Sequence, residues 1–264
     1  MSRPGQPEVW HVWLVPALAL AAAAAIVLSG SNRPLFLAIN AWSSWTGIRP
    51  WPLITVLGDT AVAIALLTPI LARRPDIAWA LVVGSVVATL FVHGCKPFFS
   101  VPRPPAIFPL GDITVIGPAH RANAFPSGHT TTIFLAAGLL CLHYRNGALW
   151  VAALGIATAV GLSRSVVGVH WPLDILAGAA GGWVSAAAGM RLSARWPAGR
   201  SQIAHGSLML VGAGVAVALL WGLDTGYPEA SGLQRAIGAS ALLAILVRGL
   251  SRLGRSLQPD NPQR

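Results

Sequence analysis

The sequence predicts an all-α polytopic membrane protein of about eight spans, and three observations carry that reading. Of its 264 residues, 55% are hydrophobic and only 10% charged, where a soluble domain carries about 25% charged residues. The mean hydropathy of +0.65 asks for lipid around the chain as well as a core within it. The apolar runs also recur at transmembrane length, since eight spans of roughly 20 residues would use about 160 and still leave room for loops. Such a composition excludes a disordered chain. The 18 Lys+Arg against 8 Asp+Glu give a net charge of +10. These cations are scattered in short loops, as orientation signals are, so no nucleic-acid partner is expected. Seventeen are arginine, which leaves Lys96 as the single lysine.

The first apolar run, about 10–30, contains an Ala-rich stretch followed by Ser29-Gly30-Ser31. It is longer than a signal-peptide core, and more spans follow, so it is expected to remain as the first helix. Residues 33–50 are too short and too polar to span. Leu35, Phe36, Ile39 and Trp42 share one helical face there, with Trp45 and Trp51 nearby, which predicts an interfacial helix. A loop with an aromatic belt is the plainer alternative. Further spans are read at about 52–72, 77–95, 129–144, 147–165, 172–192, 203–222 and 233–250. Cys95 and Cys141 have no metal or redox spacing and fall near opposite ends of their helices, so they read as small packing residues.

An even number of spans puts both ends of the chain on one side. If that side is cytoplasmic, it receives eleven arginines: Arg3, Arg73, Arg74, Arg145, Arg191, Arg195, Arg200, Arg248, Arg252, Arg255 and Arg264. The opposite side receives seven cations: Arg33, Arg49, Lys96, Arg103, Arg121, Arg164 and Arg235. The bias has the sign of the positive-inside rule.

Three polar clusters then fall on the outer side. Lys96 and Arg103-Pro104 open the long interval 96–128, Pro126-Ser127-Gly128-His129 closes it, and Ser163-Arg164, His170 and Asp174 join the fifth and sixth spans. An interval that long in a compact protein is usually functional. Lys96, Arg103 and Arg164 supply three fixed charges, enough for a phosphate dianion, and arginine's planar fork matches phosphate oxygens in pairs. Ser127 is placed to cap a helix whose first amides, at Gly128 and His129, suit an anion. Gly128 lets an oxyanion approach the backbone closely. His170 and Asp174 stand one helical turn apart, so the carboxylate can accept Nδ1–H and leave Nε2 free to attack. His129 remains to protonate a leaving oxygen. No metal-ligand spacing occurs, and no metal or other cofactor is expected.

These clusters resemble the signature of the type 2 phosphatidic acid phosphatase (PAP2) superfamily, K-x6-R-P, P-S-G-H and S-R-x5-H-x3-D. The chain reads Lys96-x6-Arg103-Pro104, Pro126-Ser127-Gly128-His129 and Ser163-Arg164-x5-His170-x3-Asp174. The resemblance covers about residues 50–192 and implies a six-helix membrane core. It divides the chain into 1–50 (first span and interfacial helix), 51–192 (catalytic core) and 193–264 (an extra C-terminal hairpin and tail). It also implies catalysis by His170 as nucleophile, His129 as acid and Asp174 as orienting group. Lys96, Arg103, Ser127, Gly128 and Arg164 would bind phosphate. The implied activity is hydrolysis of a terminal lipid phosphate, on phosphatidic acid, phosphatidylglycerophosphate, a polyprenyl diphosphate or lipid A, at the periplasmic face of a bacterial inner membrane. A phosphotransferase would use the same residues with another acceptor. A transporter is disfavoured, because the charges cluster at one surface and not at the bilayer midplane. The expected partners are the lipid substrate and the bilayer; no motif speaks to oligomeric state. For the extra helices, a lipid portal, an oligomer contact and no catalytic role all stand open.

The remaining polar residues have plainer readings. His11, His93, His143 and His205 read as polar caps, and Arg33, Arg49 and Arg235 as headgroup anchors. Asp112, His120 and Arg121 read as solvated loop. Asp59, inside the second span, either pairs with a cage arginine or caps a helix near the interface.

Overall fold

The computed structural model describes residues 9–109 and 111–256, and is all-helical among them. The helices run α1 (Val9–Ser29), α2 (Asn32–Asn40), α3 (Trp42–Thr46), α4 (Pro50–Thr55), α5 (Thr60–Leu71) and α6 (Pro75–Phe99). They continue as α7 (Pro104–Ile107), α8 (Gly128–Tyr144), α9 (Gly147–Val166), α10 (Pro172–Arg195), α11 (Gln202–Leu220) and α12 (Ser231–Ser256). Six helices are long and apolar enough to cross a membrane, and the chain is a multi-pass membrane protein. The segment expected as one span at 52–72 is instead broken: α4 with its 3-10 turn meets α5 at 72°, and counts as a seventh span only if the bent pair is taken as one. Helix α8 has 17 residues, most of them buried, and packs against α6, α9 and α10.

The break has a local cause. A Cβ on Gly58 would lie 2.8 Å from Val160 Cγ1 and 2.9 Å from His129 Cβ, so the chain presses there against α9 and the start of α8. Asp59 is extended (φ −64°, ψ 139°), and its Oδ1 accepts the amides of Ala61 at 2.9 Å and Val62 at 3.3 Å. It is an N-cap, the second of the two readings open to it. Helix α6 runs beyond its expected end at residue 95, to Phe99, before Ser100 closes it in a left-handed conformation (φ 45°). Lys96 therefore sits on a helix and not in a loop.

The polar segment 33–50 forms α2 and α3. Phe36 is fully buried, stacked on Phe108 and tilted against Trp171, while Leu35 and Trp45 of the expected apolar set are exposed. The inward face carries Asn40, whose Nδ2 donates to the carbonyls of Thr114, Ser165 and Val166, while its Oδ1 accepts from Thr114 N–H at 2.8 Å. This side chain ties the long interval to the end of α9.

In the core, α10 lies against α8, α6 and α1. A Cβ on Gly189 would come 2.5 Å from Ala80 O, and one on Gly182 would run into Thr131 O. Small residues let the helices approach closely enough for dispersion contact, the main source of helix association in lipid. Helices α11 and α12 pack on each other and on α5. His205, expected as a polar cap, is fully buried with its Nε2 2.9 Å from the carbonyl of Leu71, the last residue of α5.

Replacing Gly182 by Val should destabilise the fold by about 1–3 kcal/mol through overpacking. Thermal melting in detergent should show a lowered transition; an unchanged melting temperature would contradict the close α10–α8 contact.

Candidate active site

The eight residues expected to carry chemistry converge on one end of the bundle. Lys96 stands in the last turn of α6 and Arg164 in the last turn of α9. Helix C-termini bear partial negative charge and favour cations. His129 and Asp174 stand in the first turns of α8 and α10. Antiparallel helices thus alternate cation-bearing C-termini with amide-bearing N-termini at one surface. Ser127 N–H donates to Asp174 O at 3.0 Å and stitches two of the motifs together.

Arg103 is 8% exposed, and its guanidinium donates to the carbonyls of Ala122 (2.8 Å), Val169 (3.4 Å) and Asn123 (3.5 Å). Arg164 is 3% exposed and donates through Nη1 to Thr55 Oγ1 (2.6 Å) and Tyr227 Oη (2.9 Å). Lys96 is half-buried. Among the described residues, no carboxylate forms an ion pair with any of the three. Burying charge without a counter-ion is costly, so the arrangement is one that an incoming anion completes.

Ser127 is fully buried; its Oγ accepts from Thr130 Oγ1 at 2.9 Å and, more weakly, from Thr130 N at 3.4 Å. A Cβ on Gly128 would meet nothing within 4 Å, and the residue lines an open groove. His170 is 2% exposed and its Nδ1 lies 3.2 Å from Asp174 Oδ2. The same oxygen accepts Trp171 N–H at 2.8 Å, which fixes the carboxylate. Ser165 Oγ holds the His170 carbonyl at 2.8 Å. His129 Nε2 is buried and has no hydrogen-bond partner, which leaves it available to a substrate oxygen. Burial holds the His170 pKa well below the usual histidine value, and the charges of Arg103, Arg164, His129 and Lys96 push it the same way. No group of His, Cys, Asp or Glu among the described residues could hold a metal ion.

Beyond the cage, a groove of about 220 Å³ runs between α5 and α6. Lys96, Gly128 and His129 line one end, and Leu67, Leu81 and Ala136 the other. An adjoining groove of about 420 Å³ shares Ile64, Leu81, Ser85 and Thr89, and reaches Leu208 and Met209 of α11. His93, read as a cap, also lines the first groove. His120 is exposed, and partial desolvation with the charges of Arg103, Arg164 and Lys96 lowers its pKa. Arg33, Arg49 and Arg235 are exposed.

Sequence reasoning missed Asn40, Thr55, Trp171 and Tyr227. Trp171 Nε1 donates to Pro102 O at 2.8 Å and seats the Arg103 loop on α10. Its place one residue after His170 was the only local signal; the other three reach the site across long stretches of sequence.

Fold and site together define a helical membrane protein with three cations and a His–Asp pair gathered at one end of its bundle. Residues 77–198 match the family model described as the PAP2 superfamily, a match over just under half of the chain. Among curated proteins, it is 33% identical over 128 residues to an undecaprenyl-diphosphatase of Sulfolobus acidocaldarius, covering 47% of this chain and 59% of that protein. It is 44% identical over 63 residues to a lipid A 1-phosphatase of Porphyromonas gingivalis, covering 23% of this chain and 14% of that protein. The chain thus spans less than two thirds of either relative. Among solved structures, Aquifex aeolicus LpxE is 28% identical with a TM-score of 0.48, covering 61% of this chain and 94% of that one.

An NMR titration of the free protein should find His170 titrating below the ordinary histidine value, because burial and the neighbouring cations lower its folded pKa. Lys96→Met removes one of the opposing charges and should move the titration upward. A titration at or above the ordinary histidine value of about 6.5 would contradict the geometry.

Proposed function

We propose that the protein hydrolyses the terminal phosphate of a membrane lipid phosphomonoester or diphosphate. The observation that carries this reading is the set of three cations, two of them buried arginines, with no carboxylate ion pair among the described residues, set beside a His170–Asp174 pair. The relatives named above act on lipid A and undecaprenyl diphosphate, which supports a phosphate on a lipid tail. The groove from Lys96 and His129 toward Leu81 gives such a tail an apolar path.

In the first step His170 Nε2 attacks phosphorus while the P–O bond to the lipid breaks. Lys96, Arg103 and Arg164 hold the equatorial oxygens, with the amides at the start of α8. His129 donates a proton to the departing lipid oxygen; the bound dianion supplies the negative charge beside which a protonated His129 is stable. Asp174 accepts Nδ1–H throughout, fixing the tautomer and balancing charge as the phosphohistidine forms. In the second step water attacks the phosphohistidine, His129 takes its proton, the P–N bond breaks and inorganic phosphate leaves. The residues supply nucleophile, acid and charge themselves, so the reaction needs no metal.

A second reading replaces water by a lipid acceptor. It is favoured by a separate groove of about 450 Å³ between α1 and α10, lined by Trp171 and Asp174 on the other flank of the site. Labelled phosphate recovered on lipid, and not as inorganic phosphate, would select it.

We further propose that the site faces the periplasm of a bacterial inner membrane, with both ends of the chain cytoplasmic, because eleven of the 18 cations then lie inside. A periplasm-dependent reporter fused after Arg264 should be silent; activity there would invert the orientation.

For the chemistry, rapid quenching without acid, using labelled lipid, should place the label on His170, and chelators should leave turnover unchanged. His170→Ala should abolish turnover. His129→Ala should impair release of a lipid alcohol more than release of an activated aryl phosphate, which scarcely needs protonation. Label on serine or aspartate, or full loss of activity with chelator, would overturn the mechanism.

A further inference from the structure

We propose that Tyr227, brought in by the turn between α11 and α12, is a positioning residue of the phosphate site. With Thr55 it turns the Nε–Nη2 edge of Arg164 toward the phosphoryl group. The inference rests on the reading of the cage as a phosphate site given above.

Nη1 of Arg164 carries two N–H groups, and both are engaged, one by Thr55 Oγ1 and one by Tyr227 Oη. Nε is buried with no hydrogen-bond partner. A guanidinium anchored through Nη1 presents Nε and Nη2, the parallel pair of donors that fits two oxygens of a phosphate. Both anchors are neutral hydroxyls. A carboxylate would orient the arginine as well, but would cancel the charge that the substrate needs. Hydroxyl acceptors set the direction of the fork and leave its charge whole.

Tyr227 is itself held firmly. It is 4% exposed, and its ring flanks the guanidinium with the Arg164 Cζ 5.9 Å from the ring centroid, a contact that adds cation–π attraction. A Cβ on Gly117 would lie 2.7 Å from Tyr227 Cε1, and one on Gly226 would lie 2.7 Å from Pro118 Cγ. Both glycines have φ +81°, a conformation that other residues rarely adopt. The 117–118 and 226–227 turns therefore interlock and fix the phenol height. Thr55 and Tyr227 both lie outside the residues 77–198 matched to the family. The C-terminal helix pair thus contributes to the site a group that the matched region lacks.

The test is a double-mutant cycle on the full-length protein in detergent, assayed for phosphate release and for competitive inhibition by orthovanadate. Tyr227→Phe keeps the ring and loses the hydroxyl; it should lower kcat/KM roughly five- to twentyfold and weaken vanadate inhibition by a similar factor, with the melting temperature unchanged. Thr55→Val should behave alike, and Thr55→Ser should restore wild-type kinetics. In an Arg164→Lys background, which has no fork to aim, Tyr227→Phe should add less than about a twofold loss. Wild-type kinetics in both Tyr227→Phe and Thr55→Val, or a full multiplicative loss in the Arg164→Lys background, would overturn the positioning role. If Arg164→Lys loses activity in those same assays, the phosphate cage survives that result. Wild-type activity in Arg164→Lys itself would bring down the cage reading and this inference with it.

Discussion

Positive charge held without a counter-ion at the end of a membrane bundle is the constraint from which the rest of the structure follows. A buried guanidinium needs its donors satisfied, and a carboxylate would meet that need only by neutralising it. Here the donors are met by neutral oxygens. Arg103 takes carbonyls from Ala122 and Asn123 of the long interval and from Val169, and Arg164 takes two hydroxyls. Each such oxygen must be delivered by backbone that is itself fixed. That requirement explains the wrapped 96–128 interval, the Asn40 tie beneath it and the Trp171 bond to Pro102. Helix ends supply the remainder, with C-termini under Lys96 and Arg164 and N-termini at His129 and Asp174.

The broken second span serves the same end. By bending at Gly58 and capping α5 with Asp59, the chain lays α4 beside α9, where Thr55 meets Arg164. It also leaves α5 with 12 residues, too short to cover the flank of α6. The groove that begins at His129 opens in that gap, and α11 and α12 pack against α5. Access, anchoring and the extra helix pair are thus consequences of one short helix.

Much of this was legible in the sequence because its signals are local. Apolar run lengths located the helices to within a few residues, and the spacing from His170 to Asp174 is one helical turn whatever the surrounding fold. The break at residue 59 was written locally too, as Gly-Asp before an apolar run, yet hydropathy alone carried the reading across it. The apolar face of segment 33–50 was legible as that of an interfacial helix, but the tie that Asn40 makes to Thr114 and the end of α9 was not, because it joins residues far apart in sequence. Thr55 and Tyr227 were illegible for a different reason. They act on Arg164 across 109 and 63 residues, and no spacing rule links a hydroxyl to an arginine at that range.

The most direct test of the central claim is a crystal structure of the protein with orthovanadate. The account predicts vanadium bonded to His170 Nε2 in a trigonal bipyramid, with equatorial oxygens on Lys96, Arg103 and Arg164 and an apical oxygen facing His129. Vanadate bound elsewhere, or at this site with the two arginines turned away to carboxylates, would contradict it.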